Sequence, residues 1–414
     1  MLKVDGKRLW ASLMEMARVG ATARGGVRRL ALTEEDRRGR ELFSRWCEDA
    51  DMTVHTDEVG NLFARREGTE VDAKPILIGS HLDTQPEGGR FDGVYGVLAG
   101  LEVVRTLNDL QIQTHHPIEV VSWTNEEGAR FTPAMLGSAV FVGATMLDDA
   151  LRTQDAQGVT LADALAACAY DNPRRLDAND VEAYFEAHIE QGPVLESHGH
   201  PIGVVTGGQS IRWLDVEVTG VAAHAGTTPM SFRKDAFIAA SAMALELEAI
   251  AGRYAPLGLV TIGQVEVPNS SRNTIAGKVT FTVDLRHPVD LQIDAMEADV
   301  RAAAERIAAQ RGVQVAISTY WKSPATPFDA DCVALVEDAT RQLGYSYERI
   351  VSGAGHDAIH LARHVPTAMV FIPCVGGLSH NEAEDALPAD VSAGANVLIN
   401  AVLARATVVA PMHA

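Results

Sequence analysis

The feature that most constrains this chain is a change in the character of its strands partway along it. Up to about residue 205, short and mostly apolar runs (75–79, 118–123, 184–189 and 202–205) alternate with helical segments such as 94–107. Strands of that kind are covered on both faces, and helices between them imply a largely parallel sheet. From residue 212 the pattern changes. The run 213–219, WLDVEVT, alternates apolar and polar residues, as a strand with one wet face does. A helix at 235–251, strands at 259–267 and 279–285, a helix at 291–310 and a strand at 313–320 follow. That order, strand–helix–strand–strand–helix–strand, is the split βαβ sandwich. After Pro324 and Pro327 the buried style resumes, with a helix at 331–343, a strand at 367–372 and a helix at 389–406.

The expected fold is therefore α/β. A domain of residues 1–211 and 327–414 carries a mostly parallel mixed sheet covered by helices, and an α+β sandwich at 212–326 is inserted into it. The 414 residues also exceed the roughly 250–300 at which a single core stops growing. Near the start, Thr33 and Asp36 form a T-x-x-D box ahead of Leu42, Phe43 and Trp46, which begins an amphipathic helix.

Charge removes two classes of partner. A net charge of −20, from 35 Lys+Arg against 55 Asp+Glu, argues against the basic face that nucleic acid or an anionic membrane surface requires. It leaves room for a small anionic substrate held by a few arginines. Cys47, Cys168, Cys332 and Cys374 are scattered without a C-x-x-C pair, which points to reduced thiols in a cytoplasmic protein. Asp5 and Lys7 interrupt the N-terminal segment, and no stretch approaches the roughly 18 apolar residues of a membrane span.

Chemistry gathers at strand ends. His81, in GSHLDT (79–84), closes a buried strand at the end where ligands collect in open α/β sheets. Asp92 follows the glycine-rich stretch 87–89 and opens a helix. The next strand ends in WTNEEG (123–128), which sets Glu126 beside Glu127. Two adjacent carboxylates in so dry a place repel each other, and a divalent cation resolves the conflict. One carboxylate can bridge two cations, another can ligate one of them, and imidazoles fill each shell. His188 (FEAHIEQG, 185–192) and His380 (GGLSHNE, 376–382) end further strands. Each of these alone reads equally well as an ordinary core or surface residue. Five such positions beside strands or glycine turns point to a metal site.

The segments GSHLDTQPEGGRFDGVYGVLAG (79–100), NEEGARF (125–131), HIEQGPVLE (188–196), HAGTTPM (224–230), GAGHDA (353–358) and GLSHNEAE (377–384) resemble the hydantoinase/carbamoylase group of amidases. That group comprises N-carbamoyl-L-amino acid hydrolases, β-ureidopropionases and allantoate amidohydrolases, within a superfamily of dinuclear zinc aminoacylases and exopeptidases. The resemblance spans the chain in order. It implies two divalent cations, zinc first with Mn2+, Co2+ or Ni2+ as substitutes, held by His81, Asp92 and His188 and by Asp92, Glu127 and His380. Glu126 would be the general base and Asp83 would orient His81 from behind. His224 would stabilise the oxyanion, in its own site or a partner subunit's. Gln191 would contact the ureido group, while Asn273 and Arg286 would grip a substrate carboxylate, with Arg212, Gly355 and His356 as further contacts. For Arg286 an ordinary ion pair is the alternative, and for His224 a turn-capping role. The resemblance further implies that the insert is a lid and a homodimerisation domain.

The expected activity is hydrolysis of the ureido C–N bond of an N-carbamoyl-L-amino acid or β-ureidopropionate, giving amino acid, ammonia and carbon dioxide. Allantoate amidohydrolase is the nearest alternative. An aminoacylase or dipeptidase, or a non-catalytic binding protein on the same fold, is more distant.

Overall fold

The structure is a computed structural model, and it describes residues 1–168 and 177–409. The chain divides into two compact units, Met1–Gly207 with Pro327–Ala414, and Gly208–Thr326. Numbered along the chain, the strands before the insertion are β1 (Thr53–Thr56), β2 (Leu62–Arg66), β3 (Ile76–His81), β4 (Ile118–Trp123), β5 (Ala183–Ile189) and β6 (Ile202–Gly208). Those of the insertion are β7 (Ser210–Thr219), β8 (Ala223–His224), β9 (Leu259–Thr261), β10 (Val265–Glu266), β11 (Thr274–Ile275), β12 (Lys278–His287) and β13 (Gln314–Ser323). Then come β14 (Thr326–Pro327), β15 (Tyr347–Ser352) and β16 (Thr367–Ile372).

The first unit is built on a sheet of order β1-β2-β4-β3-β5-β16-β6-β14, with β15 also paired to β6. Its centre, β4-β3-β5-β16, is parallel, while β1, β2 and β6 join antiparallel. The fold is thus the mixed, mostly parallel α/β sheet that the sequence implies. Central strands β3, β4, β5 and β16 are buried at every position, which is why they lack alternation. Helices Val94–Asp109 and Pro388–Ala406 are buried at most positions and pack on this sheet. The capping box works as read: Thr33 Oγ1 accepts from the Asp36 amide, and the buried Asp36 carboxylate goes on to pair with Arg40 at 2.9 Å. Strands β1, β2 and β15 lie outside the sequence reading. They are short and half-polar, so their strand character comes from their partners and not from their own pattern.

In the second unit the sheet order is β10-β12-β7-β13, with β9 also on β12. Helices Ala236–Arg253 and Asp290–Arg311 cover one face, burying Leu214, Val216 and Val218 of β7 against Met243, Leu247, Met296 and Val300. Trp213, Asp215 and Glu217 alternate with these on the opposite face. The run 259–267 is not one strand. Its two pieces meet β12 in registers that differ by one residue, and Gln264 at the break exchanges bonds with Thr282. Strand β7 is central, hydrogen-bonded on both sides, so the exposed alternation of 213–219 marks a wet sheet face and not a free edge. A separate two-stranded ribbon, β8 with β11, sets His224 opposite Thr274.

Among the described residues, no helix is long and apolar enough to cross a membrane. Among the described residues the four cysteines form no disulfide.

Candidate metal centre

The carboxyl ends of β3, β4, β5 and β16 bring together the donors of the first unit. His81 ends β3, and its Nδ1 bonds the Asp83 carbonyl at 2.9 Å, which leaves Nε2 as the free nitrogen. That Nε2 faces Asp92 Oδ1 at 3.8 Å and Glu126 Oε2 at 3.4 Å. His188, near the end of β5, bonds the Ile189 carbonyl through Nδ1 at 2.9 Å, and its Nε2 lies 3.2 Å from Asp92 Oδ1. The Gly93 amide lies 3.2 Å from that same Nε2. The other oxygen of Asp92, Oδ2, lies 3.4 Å from His380 Nε2, and Glu127 Oε2 lies 3.3 Å from the same nitrogen.

Two donor groups result, His81–Asp92–His188 and Asp92–Glu127–His380, with the ligand atoms of each within 4.8 Å of one another. Asp92 belongs to both. Mixed imidazole and carboxylate donors of this kind suit first-row divalent cations, so the donor set fits such ions. The first group is buried throughout, whereas the His380 side chain is 51% exposed, so one side of the cluster is open.

Close packing dictates local sequence here. Gly93 has φ 67°, and a Cβ there would lie 2.3 Å from the His81 ring, so both backbone and space demand glycine. Glu126 and Glu127 follow β4 on a loop whose amides both donate to the Asp83 carboxylate, at 3.2 Å each. Arg40 braces the same loop through Thr124 at 3.2 Å.

Electrostatics follow from burial. Desolvation, then the charges of Asp357, Glu127, Asp83 and Asp92, push the Glu126 carboxyl well above its ordinary range. Glu127 is raised for similar reasons, although Gln85 donates to it from both amide groups. Burial acts upward on Asp92 too, but its hydrogen bond to His188 and the surrounding imidazoles outweigh it and hold the carboxyl low. Burial takes His81 down to about 4. Burial acts downward on His188 as well, but Asp92 and Glu186 outweigh it and hold its imidazole up at about 8. So many buried carboxylates in one place make a site built around positive charge.

The second-row assignments need revision. Asp83 does not orient His81 through its carboxylate, which stays 3.9 Å from Nδ1. Its backbone carbonyl does that, because the carboxylate is engaged by the amides of Glu126 and Glu127. Gln191 turns its Nε2 toward Asp92 Oδ2 at 3.0 Å and Ser379 Oγ at 3.3 Å, while its Oε1 is buried without a hydrogen-bond partner among the described residues. His356 is buried edge-on against His188, with ring centroids 4.5 Å apart. Gly355 stands against the Met135 thioether, since a Cβ there would meet Cε at 3.1 Å.

The remaining candidates lie in the second unit. His224 Nδ1 accepts from the amides of Gly226 and Thr227 at 3.1 and 3.2 Å, which assigns the tautomer with the proton on the exposed Nε2. The Asn273 carbonyl accepts from the Ala225 amide next door. Arg286 makes a two-pronged pair with Asp284 on its own strand, Nη2 to Oδ2 at 2.8 Å. Arg212 contradicts its expected substrate role. Its buried guanidinium donates to Ser210 Oγ, the Ile211 and Ser323 carbonyls and Asp294, so its donors serve the insert's own structure.

Sequence reasoning missed Glu186 and Glu384. Glu186 accepts from Ser80 Oγ, Tyr184 OH and the Ala358 amide behind His188, and forms a third close group with His188 and His356. Its spacing of two from His188 on one strand was the available signal. Glu384 receives the Phe91 and Asp92 amides, and its position at the end of the His380 segment was the clue.

These features define a class: the chain belongs to peptidase family M20/M25/M40, whose family model matches residues 77–404, and this is a metal-dependent family. It is 47% identical over 407 residues to the N-carbamoyl-L-amino-acid amidohydrolase of Rhizobium meliloti, covering 98% of each chain. A solved hydantoinase/carbamoylase family amidase from Burkholderia ambifaria is 69% identical, with a TM-score of 0.95 over 99% of this chain and 100% of that one. The allantoate amidohydrolase of Escherichia coli is 34% identical over 386 residues, 92% of this chain and 93% of that protein.

Proposed function

We propose that this protein is an amidohydrolase that cleaves the ureido C–N bond of N-carbamoyl-L-amino acids. The observation that carries the reading is one carboxylate, Asp92, shared by two donor groups, with a second carboxylate, Glu126, beside them and in neither. His81, Asp92 and His188 would hold one divalent cation and Asp92, Glu127 and His380 the other, with zinc the expected metal. Cations there supply polarisation of the scissile carbonyl and acidify water.

The rest of the chemistry belongs to side chains. Glu126, held at high proton affinity by burial and its acidic neighbours, takes a proton from the attacking water. As the C–N bond breaks, it returns that proton to the departing amino nitrogen. The amino acid leaves, and the carbamate left behind falls to ammonia and carbon dioxide. Gln191 Oε1, buried and unpartnered, is a ready acceptor for a ureido N–H. His224 presents its Nε2–H as a donor for the developing oxyanion. Asn273 and Arg286 take the substrate carboxylate, Arg286 by exchanging Asp284 for it. Gly355 offers a backbone amide, and His356 walls the pocket through His188.

Residues 212–326 would act as lid and dimerisation domain. Exposed Phe237, Ile238 and Leu245 on one helix, with Leu259 and Val265 on the outer strands, support a homodimer through this unit. Four cysteines without a disulfide among them support a cytoplasmic setting. The second reading, allantoate hydrolysis, is favoured by the E. coli relative's name and uses the same residues.

The test is metal analysis of the purified protein, followed by ammonia release from N-carbamoyl-L-amino acids, β-ureidopropionate and allantoate. Two equivalents of divalent metal and fastest release from an N-carbamoyl-L-amino acid are expected. A protein with both metals bound that releases nothing from the whole panel overturns the reading, and preference for allantoate selects the second one.

A further inference from the structure

Glu384 belongs to neither donor group, yet its fully buried carboxylate is spent on the shared ligand. Oε1 accepts the Phe91 amide at 2.9 Å and the Asp92 amide at 3.1 Å. Oε2 lies 3.1 Å from Ser379 Oγ, and that hydroxyl lies 3.0 Å from Asp92 Oδ2. Gln191 Nε2 donates to the same Oδ2. Asp92 is therefore gripped at both ends, its backbone by Glu384 and its carboxylate by Ser379 and Gln191. Space has been cleared for this arrangement, since a Cβ on Gly89 would lie 2.0 Å from Glu384 Cδ.

A hydroxyl has one proton, and Ser379 stands between two carboxylate oxygens. It can donate to Asp92 or to Glu384, not to both. When positive charge at Asp92 satisfies Oδ2, the Ser379 proton is free to turn to Glu384, which then holds the loop of residues 379–384 against the Asp92 backbone. That loop also carries His380, so one short segment delivers a direct donor and the clamp on the shared one.

We propose that Glu384 is a positioning residue that fixes Asp92 as the common ligand and so couples the two cation sites. The proposal rests on Asp92 being shared, as the functional reading has it. Disturbing Glu384 should then weaken both cations together, even though it would touch neither.

The test uses the full-length protein, stripped of metal and titrated with Zn2+ against a chromophoric chelator. Wild type should take up two equivalents. Glu384→Gln should weaken both by on the order of ten- to hundredfold, the usual effect of losing a partner behind a ligand. Gly89→Ala displaces the same carboxylate from outside, and it should do likewise while keeping Glu384. The double variant should bind no more weakly than the weaker single variant, because both changes remove one contact. The melting temperature of the metal-free protein should move much less than the rise on adding Zn2+ shrinks. Should Glu384→Gln not fold, Gly89→Ala carries the test alone. Wild-type affinity in the variants, loss of one cation only, or multiplying losses in the double variant overturn the proposal. Failure of wild type to bind two equivalents overturns the shared-ligand reading itself.

Discussion

The two units hold their candidate residues in opposite ways. In the first, His81, Asp92, Glu126 and His188 are buried, and each is bonded to another member or to the backbone beneath it. In the second, His224 sits exposed on a short two-stranded ribbon with Asn273 exposed just before it, and Arg286 rests on a neighbour of its own strand. On the roles proposed for these residues, charge placement and substrate recognition would be held by different means. Cations are best met by donors already in place, because buried carboxylates have little room to rearrange around an arriving charge. Groups that meet a substrate carboxylate gain from a weak, wet bond that they can give up.

The strongest way to break that contrast is at its dry side. Asp92→Ala should remove both metals and lower kcat/KM by roughly a thousandfold or more, read by elemental analysis and ammonia release. Glu126→Gln should retain both metals and still lose about a hundred- to ten-thousandfold in kcat. If Glu126→Gln sheds metal and Glu127→Gln does not, the roles of the adjacent pair are reversed.

On the wet side, Arg286→Lys keeps the charge but loses the fork. Its kcat/KM for N-carbamoyl amino acids should fall by on the order of ten- to a hundredfold, since charge-assisted bonds are worth about 1.5–3 kcal/mol each. A carboxamide analogue of the substrate should barely register the change. Equal losses on both substrates with a lowered melting point would mean that Arg286 only braces its strand.

Arg212 sharpens the comparison within one unit. It is an arginine of the insert that behaves as the first unit's residues do, buried and with both terminal nitrogens donating within its own unit. Arg212→Ala should destabilise by about 2–4 kcal/mol, as removing one partner of a buried network does. Denaturant titration reads that loss, while KM at a permissive temperature should stay within a factor of about three, roughly 0.6 kcal/mol.

The smallest expected effect is a pH dependence away from the metal cluster. Burial holds the His360 imidazole down to about 4, against an ordinary value near 6.5. The folded state therefore keeps it neutral. Its contribution to stability is complete above about pH 6.5 and is lost as pH falls toward 4. Replacing His360 by Leu should flatten the fall in melting temperature over that window, and an unchanged slope would assign acid sensitivity elsewhere.

Much of this was legible in the residues, for physical reasons. Strands β3, β4, β5 and β16 announce themselves because a strand covered on both faces has no polar positions to spare, apart from those it needs for chemistry. That is also why His81 and His188 stand out. What stayed hidden depends on direction and not on residue type. Asp83 precedes the metal loop by forty-odd positions, and nothing local says that its carboxylate turns toward Glu126 and Glu127 instead of His81. Arg212 and Arg286 look alike in sequence, both being arginines on alternating strands. One points under the helices and the other away from them. For Glu384 the one clue was its place at the end of the His380 segment, since nothing local says that Gly89 leaves a hole of its size.

Strand β16 lies between β5 and β6 in the sheet, although the whole insertion separates it from both along the chain. A growing polypeptide that has emitted β5 and β6 still has a slot between them, with backbone groups unpaired along both sides. The segment that fills the slot is followed directly by His380 and Glu384. The last candidate donor therefore lies just beyond the strand that closes the sheet. A chain cut short before β16 would keep His81, Asp92, Glu127 and His188 but leave the pairing edges that β16 occupies on β5 and β6 open. Completing the candidate donor set and closing the sheet would both fall to one late stretch of chain.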